Sequence, residues 1–123
     1  MSEEQKPFDY DDWYNREWFE DAVDLGHDHW LKFTVWSPDR DLNPQYAHLP
    51  DNDRLGAIIR HKKPDGTDCM GGIWFDCIQT REAFPGHPMW TVEKWEPLTC
   101  SPSILCLACR DHGYIREGKW VLG

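Results

Sequence analysis

The sequence predicts an α+β fold that is mostly β: a small antiparallel sheet with one short N-terminal helix and a C-terminal turn and hairpin. Three observations point there. Residues 8–23 repeat apolar side chains at helical spacing, β-branched and aromatic runs bounded by Pro and Gly recur from residue 29 onward, and "GYIREGKWVL" near the C-terminus has the pattern of a tight hairpin.

Taken in order, residues 1–7 read as a flexible polar tail and 8–123 as one domain, with an acidic aromatic half (8–53) and a β-rich half (54–123). From Phe8 to Val23, "FDYDDWYNREWFEDAV" sets Tyr10, Trp13, Tyr14, Trp18, Ala22 and Val23 near one face. Asp11 or Asp12 is placed to cap the N-terminus and Gly26 lies beyond the end, so a short helix is expected. In "HWLKFTVWS", Leu31, Phe33 and Val35 alternate with Trp30, Lys32, Thr34 and Trp36, the period of a strand. Ser37–Asp53 holds three prolines and several turn formers and reads as a long loop. Two apolar runs around "KPDGTD" give the strongest hairpin signal, and Gly71 and Gly72 suit a bulge or a close backbone approach. After the loop "FPGHPM" come a strand in "WTVEKWEPL", ending at Pro97, a short apolar run in "CSPSILC", and the final hairpin, with "EG" as its turn.

Composition narrows the function classes. A chain of 123 residues is the size of one domain, and eight tryptophans give its core a large apolar payload despite a charged fraction of 28%. The net charge of −9 is lopsided: residues 1–53 hold 14 acids and 4 bases, whereas 54–123 hold 8 acids and 9 bases. Such a surface works against direct nucleic-acid binding and favours a basic protein partner. No apolar run approaches the ~20 residues of a membrane span, and "MSEEQKPFDYDD" has neither the basic nor the apolar part of a signal peptide, so a cytoplasmic protein is expected. Five cysteines in that setting point to free thiols or metal thiolates rather than disulfides.

The chemistry concentrates in "CLACRDHG". Cys106 and Cys109 put two sulfurs on one tight turn, close enough to share a tetrahedral zinc ion, and His112 adds an imidazole from the same loop. The nearest fourth ligand is Cys100, with Cys69, Cys77, His61 and His87 as alternatives and Asp111 as an outer-shell acceptor. A redox dithiol fits less well, because it opens a helix after a strand, and "RDHGYIREGKW" reads as turn and strand. "CRDH" also lacks the adjacent histidine of a c-type haem site. The zinc-deaminase pattern, a nucleophile elbow around Ser101 or Ser103 and a phosphate-cradling Gly-rich loop are all missing. "HDH" at His27–His29 has no neighbouring ligand in sequence and reads as a solvated loop.

Trp95, Pro102-Ser103-Ile104, Cys109-x2-His112-Gly113 and the hairpin Ile115 to Trp120, with "GGIWFD" at Gly71–Asp76, form a pattern that extends over the C-terminal half. It resembles a family of small actinobacteriophage-encoded proteins of unknown function and, more distantly, metal-binding domains of bacterial ubiquitin-like operons. The resemblance implies metal binding through Cys109 and His112 with Cys106, an apolar residue in place of Cys100, and no established activity. The expectation is therefore a phage-type accessory protein, non-enzymatic, clamped by zinc and acting as a protein-interaction module. A metal-dependent hydrolase or nuclease with an open zinc position is the enzymatic alternative, and an acidic nucleic-acid mimic is another.

Overall fold

The computed structural model describes residues 17–123. The chain forms β1 (Val23–Gly26), β2 (His29–Trp36), β3 (Asn52–Lys62), β4 (Asp68–Trp74), a short helix α1 (Ile78–Ala83), β5 (Thr91–Trp95), β6 (Leu98–Leu105), β7 (His112–Arg116) and β8 (Lys119–Leu122). The strands make two four-stranded antiparallel meanders, ordered β1-β2-β3-β4 and β5-β6-β7-β8. The mostly β, α+β architecture is as expected, with two small sheets instead of one.

One core lies between them. Leu25, Leu31, Ala57, Ile59, Ile73 and Phe75 come from the first sheet and its exit, and Leu98, Cys100, Ile104, Ile115 and Trp120 from the second. Each set sits at alternate positions of its strands, so burying one face of each sheet against the other removes both from water.

The hairpins follow local turn chemistry. His27 and Asp28, at φ 54° and 58°, turn β1 into β2, and Glu117 and Gly118, at 50° and 73°, turn β7 into β8; paired positive φ angles suit the twist of a two-residue hairpin. The helix expected to run to Val23 stops sooner: residues 17–20 are helical and Val23 opens β1. Tyr10, Trp13 and Tyr14, and the cap assigned to Asp11 or Asp12, lie outside the described residues. Trp18 is core, not surface, with the Arg60 guanidinium 5.1 Å from its ring centre.

In β2 the expected alternation holds for Leu31 and breaks at Val35, which is exposed, because the β2–β3 register shifts between Thr34 and Trp36. Gly71 and Gly72 carry no bulge; they pair in unbroken register with Ile59 and Ile58. Pro102 falls inside β6 and is accommodated where the β6–β7 register shifts, between Cys100 and Ile104. The loop expected at Ser37–Asp53 holds a short 3-10 turn, Pro44–Tyr46, and is anchored by buried Leu49. Among the described residues no helix is long and apolar enough to cross a membrane.

Candidate metal centre

The register of the central hairpin sets His61 on β3 directly opposite Cys69 on β4. At the far end of β6 the chain enters the turn Cys106–Cys109, which is closed by its own backbone: the Arg110 N–H donates to the Cys106 carbonyl at 2.6 Å and the Cys106 N–H to the Asp111 carbonyl at 2.8 Å. Packing the two sheets brings the turn onto the hairpin. His61 Nε2 then lies 3.1 Å from Cys109 Sγ, and Cys69 Sγ 3.7 Å from Cys106 Sγ. All four ligating atoms fall within 4.8 Å of one another, a group that could hold a metal ion.

The spacing has a specific meaning. Tetrahedral zinc with Zn–S bonds of about 2.3 Å separates its sulfurs by about 3.8 Å, close to the distance between Cys69 and Cys106. A Cβ at Gly71 would stand 3.8 Å from Cys106 Sγ, so the turn packs against β4 in ordinary contact.

The four groups differ electrostatically. Burial tends to raise the Cys106 thiol, but the backbone of Cys109 and Ala108 hydrogen-bonds to it and holds it below its ordinary value. Cys69 goes the other way: burial, together with the neighbouring Cys109 and Cys106 sulfurs, pushes it up to about 11. Burial also pushes His61 down, which favours the neutral ring with a free lone pair. Three sulfurs this close repel one another as thiolates, and a bound cation reverses that penalty.

A second group, His29, His61 and Asp111, adjoins the first. His29, from the turn end of β2, is buried and held between two acceptors: Nδ1 lies 2.6 Å from the His27 carbonyl and Nε2 2.5 Å from Asp111 Oδ2. Its ring is stacked between Trp120 at 4.1 Å and His61 at 5.2 Å. Asp111 thus ties the cysteine turn to β2, and the imidazole it holds backs the imidazole of the four-residue cluster.

Of the residues singled out from sequence, Cys106 and Cys109 join this cluster. His112 and Cys100 are not part of it. His112 alternates with the buried positions Gly113 and Ile115 of β7 and so turns to the other face, beside Tyr114 and the C-terminal Gly123. Cys100 is wholly buried in the core, opposite Val92 and Ile115, and burial pushes its thiol up to about 11. Among the alternatives, His61 and Cys69 supply the other two positions. Cys77 caps α1, where its sulfur lies 3.3 Å from the Thr80 hydroxyl, and His87 packs edge-on to Phe84. Within "HDH", His29 is buried rather than solvated, because its partner Asp111, 82 residues away in sequence, reaches it through the fold.

Comparison of the chain with protein families, with curated proteins and with solved structures returns no match.

Proposed function

We propose that this chain is a non-enzymatic protein-interaction module whose two sheets are stapled by a structural zinc ion bound to His61, Cys69, Cys106 and Cys109. One observation carries the zinc reading: four ligating atoms within 4.8 Å, two from the hairpin of one sheet and two from the turn of the other. A Cys3His set is a closed zinc site, with four protein ligands and no position left for a reacting water. This weighs against the metal-dependent hydrolase. Sulfur-rich ligation at this spacing also favours zinc over calcium or magnesium, which take oxygen ligands.

The interaction reading rests on the chain's acidity, its net charge of −9, and on exposed apolar side chains near the cluster, among them Met70, Leu105 and Leu107. The resemblance of residues 90–121 to small phage-encoded proteins, which implies no activity, leans the same way. Native mass spectrometry of the purified protein tests the staple: one zinc per chain is expected, lost in Cys69→Ser and in Cys109→Ser. A folded protein that carries no metal and is indifferent to chelator would sink it.

A further inference from the structure

β4 is an outer strand. It pairs with β3 on one side and, among the described residues, with no strand on the other. Its peptide directions can be read from its exit: the Phe75 N–H donates inward to the Leu55 carbonyl, while the Trp74 carbonyl accepts outward from the Trp90 N–H. Peptide groups alternate sides along a strand, so Gly72 and Met70, in phase with Trp74, also turn their N–H and C=O outward. The end of β6 is open in the same way. β5 accompanies it only as far as the pair Thr91↔Ser101, and Ile104 and Leu105 run past that point.

Between these two edges runs a groove of about 370 Å³. Met70, Gly72 and Trp74 wall one side, and Ile104, Leu105 and Leu107 the other. It extends from the metal cluster, where Cys106 and Asp111 line it, to Trp90 at the far end of β4. Its rim is apolar and open to water: Met70 is 57% exposed, Leu105 45% and Leu107 82%. Asp111 is the one carboxylate among the lining residues, and no Lys or Arg is among them.

The glycines of β4 add an independent observation. Neither Gly71 nor Gly72 has a positive φ, and a Cβ at Gly72 would meet nothing nearer than the Ala57 carbonyl at 3.7 Å. Neither the backbone conformation nor the packing requires glycine there, although glycine weakens a strand interior. Successive positions face opposite sides of the sheet, so each side of β4 carries one bare position beside the exposed edge, and neither side shields that edge from an approaching backbone with a side chain.

Deepening the interaction-module reading, on which it rests, we propose that this groove receives an extended segment of a partner protein. The segment adds to β4 as a further strand, sets apolar side chains between the sheets and places a Lys or Arg against Asp111. Main-chain pairing with Met70 and Gly72 supplies affinity, and the pocket and the carboxylate supply selectivity. The sign follows from the site itself: three thiolates around a divalent ion leave a net negative charge beside Asp111, and no Lys or Arg lines the groove to offset it.

Backbone NMR of the metal-loaded protein tests this with a capped heptapeptide of alternating lysine and valine. Controls are the glutamate-valine counterpart and the lysine-valine peptide N-methylated throughout. The expected result is a shift and slowed hydrogen exchange at the Met70 and Gly72 amides. Affinity should be at least about tenfold higher than for the glutamate peptide, and lost on N-methylation. Met70→Lys, which blunts the edge with a charge, should weaken binding by about tenfold while zinc content, measured on the same sample, is unchanged. Equal binding of the acidic peptide, or Met70 and Gly72 amides already protected by self-association, would overturn the proposal. Shifts confined to another surface would overturn the groove and leave the interaction reading standing. Absence of any binding by a zinc-loaded protein would overturn the groove and leave the staple standing.

Discussion

Two arms of different construction meet at the His61, Cys69, Cys106 and Cys109 cluster. His61 and Cys69 sit on paired strands, and their distance is fixed by the ladder that holds β3 to β4 over seven paired positions. Cys106 and Cys109 sit on a turn whose shape depends on two local backbone hydrogen bonds and on Asp111 reaching His29. The hairpin arm is therefore placed by the strand ladder, whereas the turn arm has fewer contacts of its own and, on the proposed staple, is the one the ion would hold against the other sheet. Apparent zinc binding of about 10–16 kcal/mol in small zinc domains is comparable to the whole stability of a domain this size, about 5–15 kcal/mol.

The largest effect expected is thus metal removal. A strong chelator should strip amide protection from residues 106–111 and loosen the second sheet's end, while the β3–β4 ladder keeps more of its protection. Hydrogen exchange followed by mass spectrometry reads both arms in one experiment. Equal loss in the two arms would erase the distinction between a placed arm and a held one. Cys69→Ser should reproduce the chelator's pattern, since removing a hairpin ligand releases the turn.

Packing substitutions come next and separate core from metal. At Gly113 an added Cβ would collide with the Trp120 indole, the ring on which His29 stacks. Gly113→Ala should destabilise by about 1–3 kcal/mol through overpacking in a denaturant titration. Cys100→Ser, which puts a hydroxyl in place of a buried thiol, should cost about 1–3 kcal/mol while zinc stoichiometry stays at one. Loss of zinc in Cys100→Ser with stability intact would assign that sulfur to the site after all.

Asp111→Asn probes the link between the arms. It removes the charged acceptor that holds His29 while leaving all four ligands; because His29 only stacks on the ligand His61, zinc affinity should fall, but by less than the roughly 10–100-fold that losing a hydrogen bond to a ligand itself costs. Competition with a chromophoric chelator measures this. An unchanged affinity would mean that the turn arm is held by the ion alone.

The same contrast explains what was legible in the sequence. The turn arm is a local motif: Cys-x2-Cys carries its geometry in three residues of spacing, so Cys106 and Cys109 are readable without a fold. The hairpins are local as well, since "KPDGTD" and "EG" announce their turns. The hairpin arm is not local. His61 and Cys69 become neighbours only through the register of β3 and β4, and they reach the turn only when two sheets pack, which no spacing encodes. His29 and Asp111 pair across 82 residues for the same reason. The short α1 went unread because "IQTREA" is too brief to show a period, and its start is set by the Thr80 hydroxyl, which accepts from the Cys77 N–H and donates to the Phe75 carbonyl.

The smallest effect expected is the most discriminating. Sequence proximity makes His112 the natural third ligand, because it follows Cys109 by three residues and the loop between them is short. Strand alternation decides otherwise: β7 begins at His112, Gly113 and Ile115 take the buried face, and His112 goes to the opposite one with Tyr114. The imidazole of the cluster is instead His61, whose Nε2 already lies at hydrogen-bonding distance from Cys109 Sγ. His112→Ala should therefore leave one zinc per chain and change stability by no more than about 0.5 kcal/mol, the scale of surface substitutions. His61→Ala should lose the metal under the same conditions. If the two variants exchanged these outcomes, the ion would belong to the turn and its own histidine, and the two sheets would be joined by their apolar core alone.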